Sequence, residues 1–196
     1  MSRSPVDKTR RSLVVATATA GGVAAVAAAV PFIASMTPSE RAKALGAPVE
    51  ADVSALNPGE LLVLEWRGKP VWVLKRTPEM LNAIRQSDDR VSDPRSEVPL
   101  QPDYAKNEYR SIKPDIAVIV GVCSHLGCSP QIKGLETRAE MGEEWQGGFY
   151  CPCHGSKFDF AGRVYKGVPA PVNLTVPPYT FVSENKILIG DDKKAA

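Results

Sequence analysis

The longest hydrophobic stretch lies near the amino terminus. No charged residue occurs from Ser12 to Ser39, and Leu13 to Met36 is built mainly of Ala, Val, Gly and Thr, with Phe32 and Ile33 near its end. About 24 helical residues span roughly 36 Å, enough to cross a hydrocarbon core of about 30 Å. Pro38, Gly46 and Pro48 then punctuate a linker over 37–53, in which 39–45 can form a turn or two of helix. Beyond it the apolar runs are short and β-branched. Leu61 to Trp66 and Val71 to Leu74, separated by Arg67-Gly68-Lys69-Pro70, predict a hairpin. Thr77 as N-cap, Pro78 at the first helical position and Glu79 behind it predict a short helix to about Arg85. Residues 87–113 are polar and proline-dotted and read as a long loop. Ile116 to Val120 reads as a buried strand. Residues 172–176, 180–182 and 186–189 read as closing strands, with Glu184-Asn185 turning the last hairpin. The predicted fold is mainly β: a small antiparallel β-sandwich (54–196) joined by a hinge (37–53) to a single transmembrane helix (12–36) that follows a basic terminus (1–11).

Charge adds an orientation. The chain of 196 residues carries a net +2, but residues 1–39 hold Arg3, Lys8, Arg10 and Arg11 against Asp7, so the rest is slightly negative. A near-neutral body lacks the basic face that nucleic-acid binding needs. Basic residues on one flank of the apolar run predict a cytoplasmic amino terminus, with the β domain on the far, periplasmic side of a bacterial inner membrane. A cleaved signal peptide and a soluble helix compete with the retained anchor, although the run exceeds the usual signal core. Arg10-Arg11, ahead of Ser12-Leu13-Val14 and a weakly hydrophobic run, resembles a twin-arginine signal, a route that exports proteins already folded around a cofactor.

The chemistry is concentrated in two short boxes. All four cysteines and both histidines fall in CSHLGC (123–128) and CPCHGS (151–156). Soft thiolates and imidazoles are ligands for zinc, copper or iron–sulfur clusters. Cys123-x-His125 and Cys151-x-x-His154 each offer one thiolate and one imidazole; Cys128 and Cys153 remain, and on an oxidising side of the membrane two neighbouring thiols are expected to pair. A structural zinc, a pair of disulfides with bystander histidines, and a two-iron, two-sulfur cluster all draw on these residues, and only the last uses every one of them.

These boxes, followed by Gly167-Val168-Pro169-Ala170-Pro171, resemble the Rieske iron–sulfur subunit of bacterial ubiquinol–cytochrome c reductase, the cytochrome bc complex. The resemblance runs over nearly the whole chain: anchor, hinge, β domain, two cluster loops and proline loop in that order. It implies one Rieske 2Fe-2S cluster with Cys123 and Cys151 on one iron and His125 and His154 on the other. It also implies a Cys128–Cys153 disulfide, a Ser156 hydroxyl donating to a bridging sulfide, and Leu126 with His154 at the quinol pocket. His154 and His125 are then the catalytic pair, coupling proton uptake to electron uptake. The implied partners are cytochrome b, a c-type cytochrome, ubiquinol and the membrane, in a dimeric complex that acts as a quinol–cytochrome c reductase, with the β domain swinging on its hinge between quinol pocket and haem. One departure stands out: where the family has a tyrosine two positions after the serine, this chain has Phe158, which implies a lowered potential. A Rieske subunit of another exported oxidoreductase, such as arsenite oxidase, and a zinc-stabilised, membrane-tethered interaction domain are the competing readings.

Overall fold

The computed structural model describes residues 7–191; Arg3 of the basic terminus and the last five residues of the expected domain lie outside them. The chain divides into two compact units, with the boundary between Ala44 and Leu45.

The first unit is helical. Helix α1 runs from Lys8 to Ser35 and so begins inside the basic segment, ahead of the apolar run, because the Asp7 carboxylate accepts from the backbone N–H groups of Thr9 and Arg10 and caps it. At 28 residues it is about 42 Å long. The Thr17 and Thr19 hydroxyls donate to carbonyls one turn back, so these polar groups are satisfied within the helix. The helix is long and apolar enough to cross a membrane. Helix α2, Glu40–Leu45, follows, with the Ser39 hydroxyl accepting from Ala42 N.

Among the described residues the second unit contains three antiparallel sheets of three strands. The first comprises β1 (Val49–Asp52), β9 (Lys186–Ile189) and β8 (Tyr179–Ser183), with β9 in the centre. The second comprises β2 (Leu61–Trp66), β3 (Lys69–Lys75) and β4 (Ile116–Val120). The third comprises β5 (Gln131–Lys133), β6 (Gly148–Cys151) and β7 (Ser156–Phe158). The middle sheet feeds two cores by simple alternation. Trp72, Leu74, Ala117 and Ile119 pack with Phe149, Phe158, Cys123 and Cys151. Val71, Val73, Val118 and Val120 pack with Tyr179, Ile187 and Ile189. Strands buried on both faces read as unbroken hydrophobic runs, which is why β3 and β4 are visible in the sequence.

Several expectations are corrected. The linker does not extend to Val53, because Val49–Asp52 pair with Lys186–Ile189 as β1 and Val53 is buried. The first hairpin turns on two residues, Arg67 and Gly68, both at positive φ as a type I′ turn demands, so Lys69 and Pro70 belong to β3. Residues 172–176 are not a strand. Their backbone groups bond in turn to Gly162, Val120 and Leu100, and the apolar alternation arises because Leu174 enters one core and Val176 the other. Helix α3, Pro78–Gln86, starts as expected, with the Thr77 hydroxyl accepting from Met80 N. Between β5 and β6 lie a 3-10 turn and the short helix α4 (Arg138–Met141), neither anticipated.

Tyr179 gives the β unit an alkaline limit. Its ring is fully buried, its hydroxyl accepts from Ile112 N at 2.8 Å, and burial pushes the phenol up to about 12. A phenol that ionises near 10 when unfolded stabilises the folded chain below that pH and loses the contribution as pH rises toward 12. Between pH 10 and 12 the wild-type chain is expected to lose about 2–3 kcal/mol relative to Tyr179→Phe in denaturant titrations. Parallel pH profiles for the two proteins would refute the assignment.

Candidate metal centre

The first box hangs from the end of β4. Gly121 N donates to Pro70 O, and a Cβ on Gly121 would sit 2.1 Å from the Trp72 indole, so only glycine lets the chain pass this close to the core. The loop then closes on itself: Cys123 N donates to Cys128 O at 2.8 Å, and Gly127 N to Cys123 O at 3.0 Å. The second box is the turn of a hairpin, with Cys151 opposite Ser156 across β6 and β7 and Gly155 N donating to Cys151 O at 2.9 Å. Gly148 likewise excludes a side chain, since a Cβ there would lie 1.9 Å from Phe158 O. Beneath the two loops Trp72 stacks on Phe149 at 4.9 Å.

Cys128 and Cys153 are joined by a disulfide that links the two loops, 25 residues apart in sequence. Cys123 and Cys151 stay as thiols, 3% and 2% exposed. Burial, joined by the influence of Cys123, pushes the Cys151 thiol up. The His125 and His154 rings face each other edge to face at 4.7 Å. His125 is half-buried and His154 exposed, and the Nδ1 of His125 is buried with no hydrogen-bond partner. An orphaned imidazole nitrogen is costly in a protein interior unless something binds it. Two free buried thiols and two converging imidazoles, one with an unpartnered nitrogen, fit a metal cluster that takes two sulfur and two nitrogen ligands.

The segment 167–172 is tied to both loops. Ser156, fully buried, accepts from Ala170 N at 3.0 Å, and Ser124 Oγ donates to Val172 O at 2.6 Å. Leu126, at the tip of the first loop, is 71% exposed. Phe158 is fully buried in the core that contains Cys123 and Cys151, and its ring offers them no donor. Phe158→Tyr would bring a hydroxyl donor into that core, and is expected to raise the midpoint potential of a cluster held by these cysteines by about 60 mV, the one-electron equivalent of one charge-assisted hydrogen bond. Redox titration of the variant checks this, and an unchanged potential would sink it.

The sequence reading missed the support behind the second box. Asp159, Arg163, Arg110 and Arg76 are all buried there, the first two as an ion pair at 2.7 Å, while Arg110 comes from the loop 87–113. Their only sequence signal is a charged residue beside a hydrophobic run, which a surface residue shares.

A β domain presenting two cysteine–histidine loops tied by a disulfide belongs to the Rieske class, and comparison with known proteins bears this out. A family model described as "Rieske [2Fe-2S] domain" matches residues 101–179, and one described as "Ubiquitinol-cytochrome C reductase Fe-S subunit TAT signal" matches residues 1–39. The ubiquinol-cytochrome c reductase iron-sulfur subunit of Allochromatium vinosum is 55% identical over 100% of this chain and 95% of its own. That of Blastochloris viridis is 41% identical over 96% of this chain and 97% of its own. Among solved structures, a chain of a hyperthermophilic respiratory Complex III is 28% identical, with a TM-score of 0.47 over 89% of this chain and 98% of that one. The chain belongs to the family of ubiquinol–cytochrome c reductase iron–sulfur subunits, and its cofactor is a 2Fe-2S cluster.

Proposed function

We propose that the chain is the electron-carrying subunit of a bacterial quinol–cytochrome c reductase, with Cys123 and Cys151 holding one iron of its cluster and His125 and His154 the other. The observation that carries this reading is the meeting of the two boxes: a disulfide between the loops, two remaining buried thiols in one core, and two imidazole rings with centroids 4.7 Å apart. When bound, a 2Fe-2S cluster with two imidazole ligands accepts one electron at a higher potential than an all-thiolate cluster.

The chain's own residues supply the rest. His154 is exposed, so its ring meets the ubiquinol hydroxyl and takes up the proton that leaves with the electron. His125, half-buried, fixes the other imidazole position and shares the redox-linked proton. Leu126 lends an apolar contact to the quinol pocket of cytochrome b and keeps water from the loop. Ser156 accepts from Ala170 N, which orients its hydroxyl and leaves its own hydrogen to donate toward cluster sulfur. Buried Cys123 and Cys151 hold the metal away from solvent, and the disulfide holds the loops at a fixed separation.

The remaining organisation follows the charge and hydrophobic pattern. Residues 1–11 stay in the cytoplasm, 12–36 span the membrane, and the segment ahead of β1 tethers a periplasmic domain that moves between quinol pocket and a c-type cytochrome, within a dimeric complex. Membranes reduced with ascorbate are expected to give a rhombic Rieske signal in low-temperature electron paramagnetic resonance that changes shape with a quinol-pocket inhibitor. A signal indifferent to the inhibitor would remove the quinol from this reading. An iron-free, zinc-loaded protein would remove the cluster.

A further inference from the structure

Three arginines lie in the interior of the β unit: Arg110 and Arg163 have no exposed surface, and Arg76 is 3% exposed. Arg163 is neutralised, its Nε 2.7 Å from Asp159 Oδ2 and a terminal nitrogen 2.6 Å from Asp88 Oδ1. Among the described residues neither Arg76 nor Arg110 forms an ion pair. Arg76 spends its donors on the carbonyls of Phe160, Pro114 and Tyr109 and on the Ser111 hydroxyl. Arg110 donates to the carbonyls of Ala161 and Gly162 and to Gln101 Oε1, and its Nε has no partner. Asp93 and Asp159 attract Arg110 through space, and Asp159 also attracts Arg76. Burial pulls both guanidiniums down to about 10, so both are charged at neutral pH. Buried charge without a paired counter-charge is expensive, and carbonyls alone could be satisfied by neutral donors.

All three side chains converge on residues 159–163, immediately after the second box. Phe158, Phe160 and Ala161 pack in the same core as Cys123 and Cys151. Ser156 sits opposite Cys151 in β7, and Phe160 lies in the turn that follows that strand. Positive charge therefore lies behind the cysteines across an apolar layer, where screening by water is weak. Taking up an electron adds one negative charge to the cluster, and that charge is favoured by buried cations in the same interior.

We propose that Arg76 and Arg110 are positioning residues that raise the midpoint potential of the cluster electrostatically, while the Arg163–Asp159 pair fixes the segment around which they gather. The proposal rests on the ligand assignment made above.

Its test is a redox titration of the cluster in the membrane-bound complex, followed by circular dichroism, for four variants. Arg76→Gln and Arg110→Gln are expected to weaken reduction about threefold to tenfold, a fall of about 30 to 60 mV at about 59 mV per tenfold for one electron. Arg76→Lys, which keeps the charge, is expected to recover more than half of that fall. Asp88→Asn, which removes a half-exposed negative charge beside Arg163, is expected to shift the potential the other way. Opposite signs for the arginine and aspartate variants are not what a purely structural role produces. Unchanged potentials in the glutamine variants, or a fall in Asp88→Asn, would overturn the proposal. Should the glutamine variants fail to fold, Asp88→Asn decides alone: a rise supports the proposal and no rise overturns it. Absence of a Rieske signal in the wild-type complex would instead strike the ligand assignment.

Discussion

Asp159→Ala is expected to lower the melting temperature of the full-length chain by about 10 °C, the largest loss we anticipate from a single substitution outside the cluster ligands. The carboxylate is 1% exposed and accepts three bonds, from Ala161 N, Arg163 N and Arg163 Nε, at 2.7 to 2.9 Å. Truncating it leaves the Nε of a fully buried guanidinium without its partner and the charge with only half-exposed Asp88 beside it, and breaking a buried pair from one side costs about 3–5 kcal/mol. At about 2–4 °C per kcal/mol for a chain of this size, a shift near 10 °C follows. Asp88→Ala provides the contrast. It removes the other partner of Arg163, but that carboxylate is 52% exposed, so water replaces it at a cost of about 1 kcal/mol or less. Thermal melts of the two variants by circular dichroism check the pair, and equal small shifts would show that Asp159 is dispensable.

Removing the disulfide should have the second large effect. In the double variant Cys128→Ser, Cys153→Ser no stray thiol is left to pair with Cys123 or Cys151. Opening a link across 25 residues costs about 3 kcal/mol in the chain-entropy model. The functional loss should exceed the thermodynamic one, because among the described residues the other hydrogen bonds holding the loops are their own backbone bonds and the ties of Ser124 and Ser156 to segment 170–172. Cluster absorbance in the purified double variant is expected to decay far faster than in wild type. A cluster equally long-lived in both proteins would show that the proline segment alone holds the loops together.

The sequence reveals these loops clearly and their support hardly at all, for a physical reason. Cys123, His125, Cys151 and His154 announce themselves because soft ligands are rare and here are confined to two boxes. Likewise, β3 and β4 are visible because both faces of each strand are buried, and α3 because Thr77-Pro78 marks its start. Strands β5, β6 and β7 escape notice because each is only three or four residues long and their side chains include Gln131, Lys133, Ser156 and Lys157. The strand expected over 172–176 fails for the converse reason, since Leu174 and Val176 alternate between two cores without a neighbouring strand to pair with. Arg110 sits in a polar loop whose composition suggests exposure, and only the three-dimensional arrangement brings it beneath Ala161 and Gly162.

The placement of β9 bears on when this domain can be completed. It is the central strand of its sheet, flanked by β1 and β8, so the first strand of the domain has no partner until Lys186–Ile189 have been made. Pairing between elements so distant in sequence closes slowly and cannot begin during synthesis of the earlier part. The sheet is therefore completed late in synthesis, an order of events that suits the twin-arginine signal at the amino terminus, a route for folded proteins. A stop codon just ahead of Lys186 would strip both flanking strands of their partner at once and leave the tether fastened to an unfinished sheet.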